Sequence, residues 1–288
     1  MFFYKIFYGF CWLLTSLPLR CLYLLSDFVF LLVFYIIRYR RKVVSDNLLK
    51  SFPEKTEKER RVIERKFYRH FCDMFIETIK LINISTPRIR RRIRFSNPEI
   101  FDDLHAKGKQ IFIVAGHYGN WEWTSTLENT VPYHHATLYR PLKNKFFDKF
   151  FYDIRSKYGA DIIPANSVIR AINKYNQENR LTALGFLNDQ SPHHTEINHW
   201  ITFMNQDTPI YSGVERLARR YNPAVVYYEP QRVKRGYYEV NVTLIVENAS
   251  ETKELEISEK FVRLLEQSIR REPQYWLWTH KRWKHKRS

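Results

Sequence analysis

The chain has 288 residues, enough for one generous α/β domain or two small ones, with 44% hydrophobic and 16% aromatic residues. Its three cysteines (Cys11, Cys21, Cys72) form no Cys-x-x-Cys pair and no zinc-ligand spacing, which excludes a disulfide framework and a structural zinc module. The net charge of +17 favours polyanionic partners (nucleic acid, anionic lipid head groups, an acidic carrier protein) without choosing among them.

From residue 2 to residue 37 the sequence is almost wholly apolar, and Lys5, Arg20 and Asp27 are its only charges. Residues 17–37 match the ~20 residues needed to cross a bilayer core. Arg20 can snorkel at one end, whereas Asp27 is costly in mid-span. The apolar stretch is too long for a signal peptide and no small-residue cleavage site follows it. Arg38, Arg40, Arg41 and Lys42 come next, and the positive-inside rule keeps that end cytoplasmic. The expectation is a membrane anchor with a basic flank over residues 1–42, either spanning or lying in the interface. The alternative is a buried hairpin of two helices broken at Pro18.

Residues 51–59 read as a turn that opens a helix, and Ile63, Phe67, Phe71, Phe75 and Ile79 recur every fourth residue as one apolar stripe. Arg88, Arg90, Arg91, Arg92 and Arg94 then crowd a short segment. Pro87 sits at a helix start, and the segment is either a solvated basic helix face or an electrostatic footing on lipid or phosphate. Beyond it the pattern alternates. Strands are expected at 110–115, 136–140, 160–164, 181–187, 224–229 and 237–246. Helices are expected at 120–129, 144–157, 167–177, 211–221 and 258–271. Such alternation predicts one α/β domain over residues 43–288, a sandwich of helices around a mostly parallel central sheet.

The run IFIVAGHYGNWEW places His117 and Glu122 five residues apart behind an apolar strand. On a continuous helix five residues leave two side chains roughly 140° apart, so they meet only if the chain turns between them. Gly116 and Gly119 permit the turn, and Asn120 suits the N-cap of the following helix. Glu122 is then expected to accept the second N–H of the imidazole, which fixes its tautomer and makes His117 a general base. Arg140 and Asp189 each end a later strand, where ligands bind in open α/β sheets. Arg140 can stabilise developing negative charge or grip a phosphate; Asp189 can orient Arg140 or the acceptor. Phe147, Phe150 and Phe151 share a helix face that suits core packing, an acyl channel or a lipid surface.

In these blocks the chain resembles the bacterial lipid A late (lauroyl/myristoyl) acyltransferase family, within the lysophospholipid-acyltransferase-like superfamily. The resemblance rests on NLLKSFPE (47–54), GHYGNWEW (116–123), YRPLKN (139–144), LNDQSP (187–192), FMNQDTPIYSGVERLA (203–218) and EPQYWLWTHKRWK (272–284), in that order along most of the chain. It implies a glycerol-3-phosphate-acyltransferase-like fold and an enzyme of the bacterial inner membrane with its catalytic domain on the cytoplasmic side. The implied reaction moves a fatty acyl chain from acyl carrier protein to a hydroxyl of an anionic glycolipid acceptor, the lipid A precursor, with no cofactor, metal or nucleic acid. Carried onto this sequence, His117 is the base and Glu122 its partner, while Arg140, Asp189, Asn120 and Asn144 bind substrate or the oxyanion. One stretch departs from the family pattern: QSPHHTEINHW puts His193 and His194 where a smaller, glycine-containing loop is expected, which leaves the acceptor open. The rivals are an acyltransferase with another lipid or saccharide acceptor and, more remotely, a membrane-tethered nucleic-acid-binding protein.

Overall fold

The computed structural model describes residues 2–127 and 130–287. The apolar N-terminus forms two helices, α1 (Phe2–Ser16) and α2 (Leu19–Leu31), broken at Pro18; α2 runs on through a π-helical turn, Leu32–Ile37. Then come α3 (Arg41–Ser51), the long α4 (Glu57–Lys80) and a single turn, α5 (Thr86–Arg90). Thr56 and Glu59 cap each other's backbone at the start of α4, a reciprocal box that fixes where the helix begins. The remainder, in chain order, is β1 (Ile93–Phe95), α6 (Glu99–Ala106), β2 (Ile111–Ala115), β3 (His134–Tyr139), α7 (Lys145–Ser156), β4 (Asp161–Pro164), α8 (Val168–Gln177), β5 (Thr182–Leu187), β6 (His199–Phe203), β7 (Gln206–Ile210), α9 (Gly213–Tyr221), β8 (Ala224–Lys234), β9 (Tyr237–Val246) and α10 (Glu256–Arg271).

Seven strands form one sheet in the order β1-β9-β8-β2-β5-β3-β4. β8, β2, β5, β3 and β4 run parallel, while β9 and β1 run the other way, because β8 and β9 are joined as a hairpin across Gly236. The fold is thus the expected α/β sandwich around a mostly parallel sheet. β2 is buried on both faces, which is why IFIVA reads as an unbroken apolar run rather than an alternating one. One side of the sheet packs Phe112, Val114, Leu184, Phe186, Val225 and Tyr227 under α10 and the C-terminal tryptophans. The other side packs Ile111, Ile113, Ala183 and Val226 with Phe150 and Ile154 of α7 and Leu19 and Leu22 of α2.

Three expectations need revision. The helix expected over 120–129 is a 3-10 helix, Trp121–Leu127; residues 128 and 129 lie outside the described residues. The arginine-rich segment turns helical only over Thr86–Arg90 and then joins the sheet as β1. Between the expected strand at 181–187 and the expected helix at 211–221, where no element was expected, the chain forms a separate antiparallel hairpin, β6-β7.

Candidate active site

β2 ends at Ala115 and the chain turns sharply through residues 116–120. Gly119 has φ +59°, and a Cβ there would lie 1.9 Å from the carbonyl oxygen of Pro230, so only glycine fits. The turn is held from three sides. Gly119 N–H donates to the Tyr275 carbonyl at 2.9 Å, Leu277 N–H donates to the His117 carbonyl at 3.0 Å, and buried His70 donates from Nε2 to the Gly119 carbonyl at 3.1 Å. Burial and the adjacent Arg232 push His70 down to about 3, so it is neutral at any working pH.

His117 projects from this turn into a cleft. Its Nδ1–H donates to Asp189 Oδ1 at 2.6 Å, and its backbone N–H donates to Asp189 Oδ2 at 2.9 Å. Trp276 Nε1–H donates to the same Oδ2 at 2.8 Å. Burial opposes ionisation of Asp189, but the adjacent His117 and these hydrogen bonds outweigh it and hold the carboxyl at about 2. With Nδ1 occupied, Nε2 carries the lone pair. Gln190 Nε2–H donates to it at 3.1 Å, and the Trp121 ring stands edge-on 5.0 Å away.

The carboxylate beside the imidazole is therefore Asp189, not Glu122 as expected. β2 and β5 are neighbours with Ala115 opposite Leu187, so the residues two beyond each strand end, His117 and Asp189, come side by side. Glu122 instead takes a two-pronged hydrogen bond from Arg155 of α7, with Nε to Oε2 at 2.9 Å and NH2 to Oε1 at 2.6 Å. Burial pushes the Glu122 carboxyl up, and Arg155 together with nearby His117 brings it below its ordinary value. Arg155 was not singled out from sequence. Its signal is spacing: 147, 151 and 155 lie on one helical stripe, so a cation was placed on the phenylalanine face.

The remaining expected residues divide. Arg140 stands at the cleft rim, 68% exposed, 3.8 Å from Glu196 and over the Tyr211 ring. Asn120 and Asn144 do not line the cleft. Asn120 is fully buried; it donates to Glu77 Oε2 at 2.6 Å and accepts from Trp123 N–H at 3.1 Å. Asn144 is exposed and caps α7 by accepting from Phe146 N–H at 2.9 Å. The family resemblance implied that both bind substrate or the oxyanion; instead both spend their side chains on helix N-termini, Asn120 in the capping role expected for it.

The cleft is a cavity of about 630 Å³. Its walls include the polar side chains of His117, Glu122, Arg155 and Gln190 and the apolar surfaces of Ala115, Phe151, Ala160 and Gly185. Its size suits a ligand with one polar and one long apolar part. A family model described as bacterial lipid A biosynthesis acyltransferase matches residues 2–285 of the chain. No individual curated protein matches it significantly.

Proposed function

Because the chain belongs to the bacterial lipid A biosynthesis acyltransferase family, we propose that it transfers a fatty acyl chain from acyl carrier protein to a hydroxyl of an anionic lipid A precursor, with His117 as general base. The observation that carries this reading is the His117–Asp189 pair, whose unprotonated Nε2 faces a cavity of about 630 Å³. Nε2 takes the proton of the acceptor hydroxyl as its oxygen attacks the thioester carbonyl. Asp189 steadies the imidazolium that forms. When the tetrahedral intermediate collapses, the carbon–sulfur bond breaks and the thiolate recovers the proton from Nε2. Arg155, positioned by Glu122 and with 23% of its side chain exposed against 68% for Arg140, is the better-shielded guanidinium of the cleft and supports negative charge on the carbonyl oxygen. The apolar reach of the cavity takes the acyl chain.

The experiment is acyl transfer by the purified full chain from acyl carrier protein to a lipid A precursor, followed by mass spectrometry of the product. His117→Ala is expected to lower turnover by about 10²–10⁴, the usual weight of a general base, with an unchanged melting temperature. A folded His117→Ala protein with wild-type turnover removes the base assignment. Failure of the wild type with this donor while it accepts an acyl-coenzyme A removes the carrier.

A further inference from the structure

The apolar N-terminus is long enough to cross a bilayer: Leu19–Ile37 passes by length and composition. Its polar contacts argue against crossing. The middle of α2 is fastened to polar groups of the catalytic domain. Asp27 accepts from Arg235 NH2 at 2.7 Å, Ser26 Oγ donates to Asp73 Oδ1 at 2.8 Å, and Tyr23 OH donates to Glu77 Oε1 at 2.7 Å. Arg235 also donates to the Tyr23 carbonyl and to both oxygens of Asp73. If α2 spanned, the turn between β8 and β9 and the charged middle of α4 would sit at the centre of the hydrocarbon, where unscreened polar groups are costly.

The exposed residues point the same way. Leu24, Phe28, Leu31 and Tyr35 stand out from α2 and its continuation at steps of four, three and four, while Leu22, Ser26, Phe30 and Phe34 are buried beneath. α1 repeats the pattern with Ile6, Phe10 and Leu13 exposed and Cys11 and Thr15 buried, and Leu17, just after it, is exposed too. The stripe thus continues across the break at Pro18. α1 is held down along its length as well: Phe7 packs its ring against Phe146, Phe147 and Phe150 of α7, and Asn83 and Lys80 donate to the carbonyls of Trp12 and Leu17.

We propose that α1 and α2 lie in the plane of one leaflet of an anionic bilayer, with this stripe dipped into the acyl region, and that neither helix crosses it. Charge names the occupant. Exposed Arg20 lies just past the break, and exposed Arg88 acts electrostatically on Lys80, whose ammonium holds the Thr15 and Leu17 carbonyls at the elbow; with exposed Arg91 three residues on, these cations match anionic head groups. The basic run after the apolar segment is partly committed inward instead: Arg40 donates to the Thr279 carbonyl and Arg41 to Glu64. The arrangement also places the leaflet beside the cleft, because α7 carries the rings under α1 and also Phe151 and Arg155 of the cavity wall. On the acyltransferase reading, a lipid acceptor then reaches His117 without leaving its leaflet.

The test is the depth of nitroxide labels at positions 10, 13, 24, 28 and 31, placed one at a time in the full chain. Cys21→Ser serves as background because Cys11 and Cys72 are buried. The vesicles contain phosphatidylethanolamine and phosphatidylglycerol, and depth is read from collisions with oxygen against a water-soluble nickel chelate. All five labels are expected at one shallow depth, within about 10 Å of the head groups. A spanning helix rises 1.5 Å per residue, so labels at 24 and 31 would differ by about 10 Å and straddle the midplane; that result overturns the proposal. Arg88→Gln with Arg91→Gln is expected to weaken binding to these vesicles about thirtyfold and to leave binding to purely zwitterionic vesicles unchanged. Equal binding of wild type to both vesicle types removes the anionic leaflet as the occupant. Neither readout involves acyl transfer, so the function and the placement can fail separately.

Discussion

Asp189 and Glu122 are both nearly buried carboxylates close to His117, and they differ in what they hold. Asp189, with 2% of its side chain exposed, grips the imidazole Nδ1; Glu122, with 11% exposed, grips Arg155. Neutralising each therefore has a different signature. Asp189→Asn removes the charge that stabilises the imidazolium and lets Nδ1 lose its proton preference, so turnover is expected to fall about 10²–10⁴-fold. Glu122→Gln leaves the His117–Asp189 pair intact but loosens Arg155, so its expected effect is a smaller fall in kcat. Measuring turnover of both variants decides between the two carboxylates: if Glu122→Gln costs about 10²–10⁴-fold and Asp189→Asn does not, the pairing seen here is not the one that acts.

At the scale of elements, the turn after β2 depends on helices far away in sequence. α4 supplies His70 to the Gly119 carbonyl and Glu77 to Asn120, while the segment after α10 supplies Tyr275 and Trp276. That dependence explains how much of the site was legible. The histidine was legible because a buried strand ending in Gly-His-x-Gly announces a turn. The strand ends at Arg140 and Asp189 were legible because apolar runs stop there. The partner of His117 was not, because Glu122 is nearest in sequence, whereas Asp189 becomes nearest only when β5 lies beside β2, and strand order is not written in local patterning. Asn120 misled for the same reason: its partner Glu77 lies 43 residues away. Glu77 itself gives a test of this support. Burial, with a contribution from Asp73, pushes it up to about 7, against hydrogen bonds from Tyr23 and Tyr238 and the charge of Arg232 that act the other way. A carboxyl whose pKa is raised on folding adds stability below its unfolded value near 4.5, and that stability is lost as pH rises through about 7. This group is expected to remove up to about 3 kcal/mol of stability between pH 5 and pH 8, read as a falling melting temperature. Glu77→Gln should flatten that slope. Equal slopes in variant and wild type would place the titration elsewhere.

For the whole molecule, composition changes near residues 42 and 43, but contacts do not stop there. Leu19, Leu22, Tyr23, Phe30 and Phe34 are each less than 10% exposed, and they pack into the same two apolar layers as the sheet and α4. At about 1.5–3 kcal/mol for each buried side chain, these five contribute roughly 8–15 kcal/mol as an upper bound. A typical domain keeps only about 5–15 kcal/mol of net stability. Polar support goes with them: Arg235 loses Asp27, Lys80 loses the carbonyls of Thr15 and Leu17, and Glu77 loses Tyr23. A chain starting at residue 43 is therefore expected to melt far below the full chain in the same detergent, or to aggregate, and to lose protease resistance along α4 first. Replacing exposed Leu24, Phe28 and Leu31 with serine removes lipid-facing surface and leaves the buried face in place. That variant is expected to keep the wild-type melting temperature while losing vesicle binding. A truncated chain that is monodisperse and melts with the full protein would show that the two N-terminal helices only tether the enzyme, and that α4 and the sheet hold together without them.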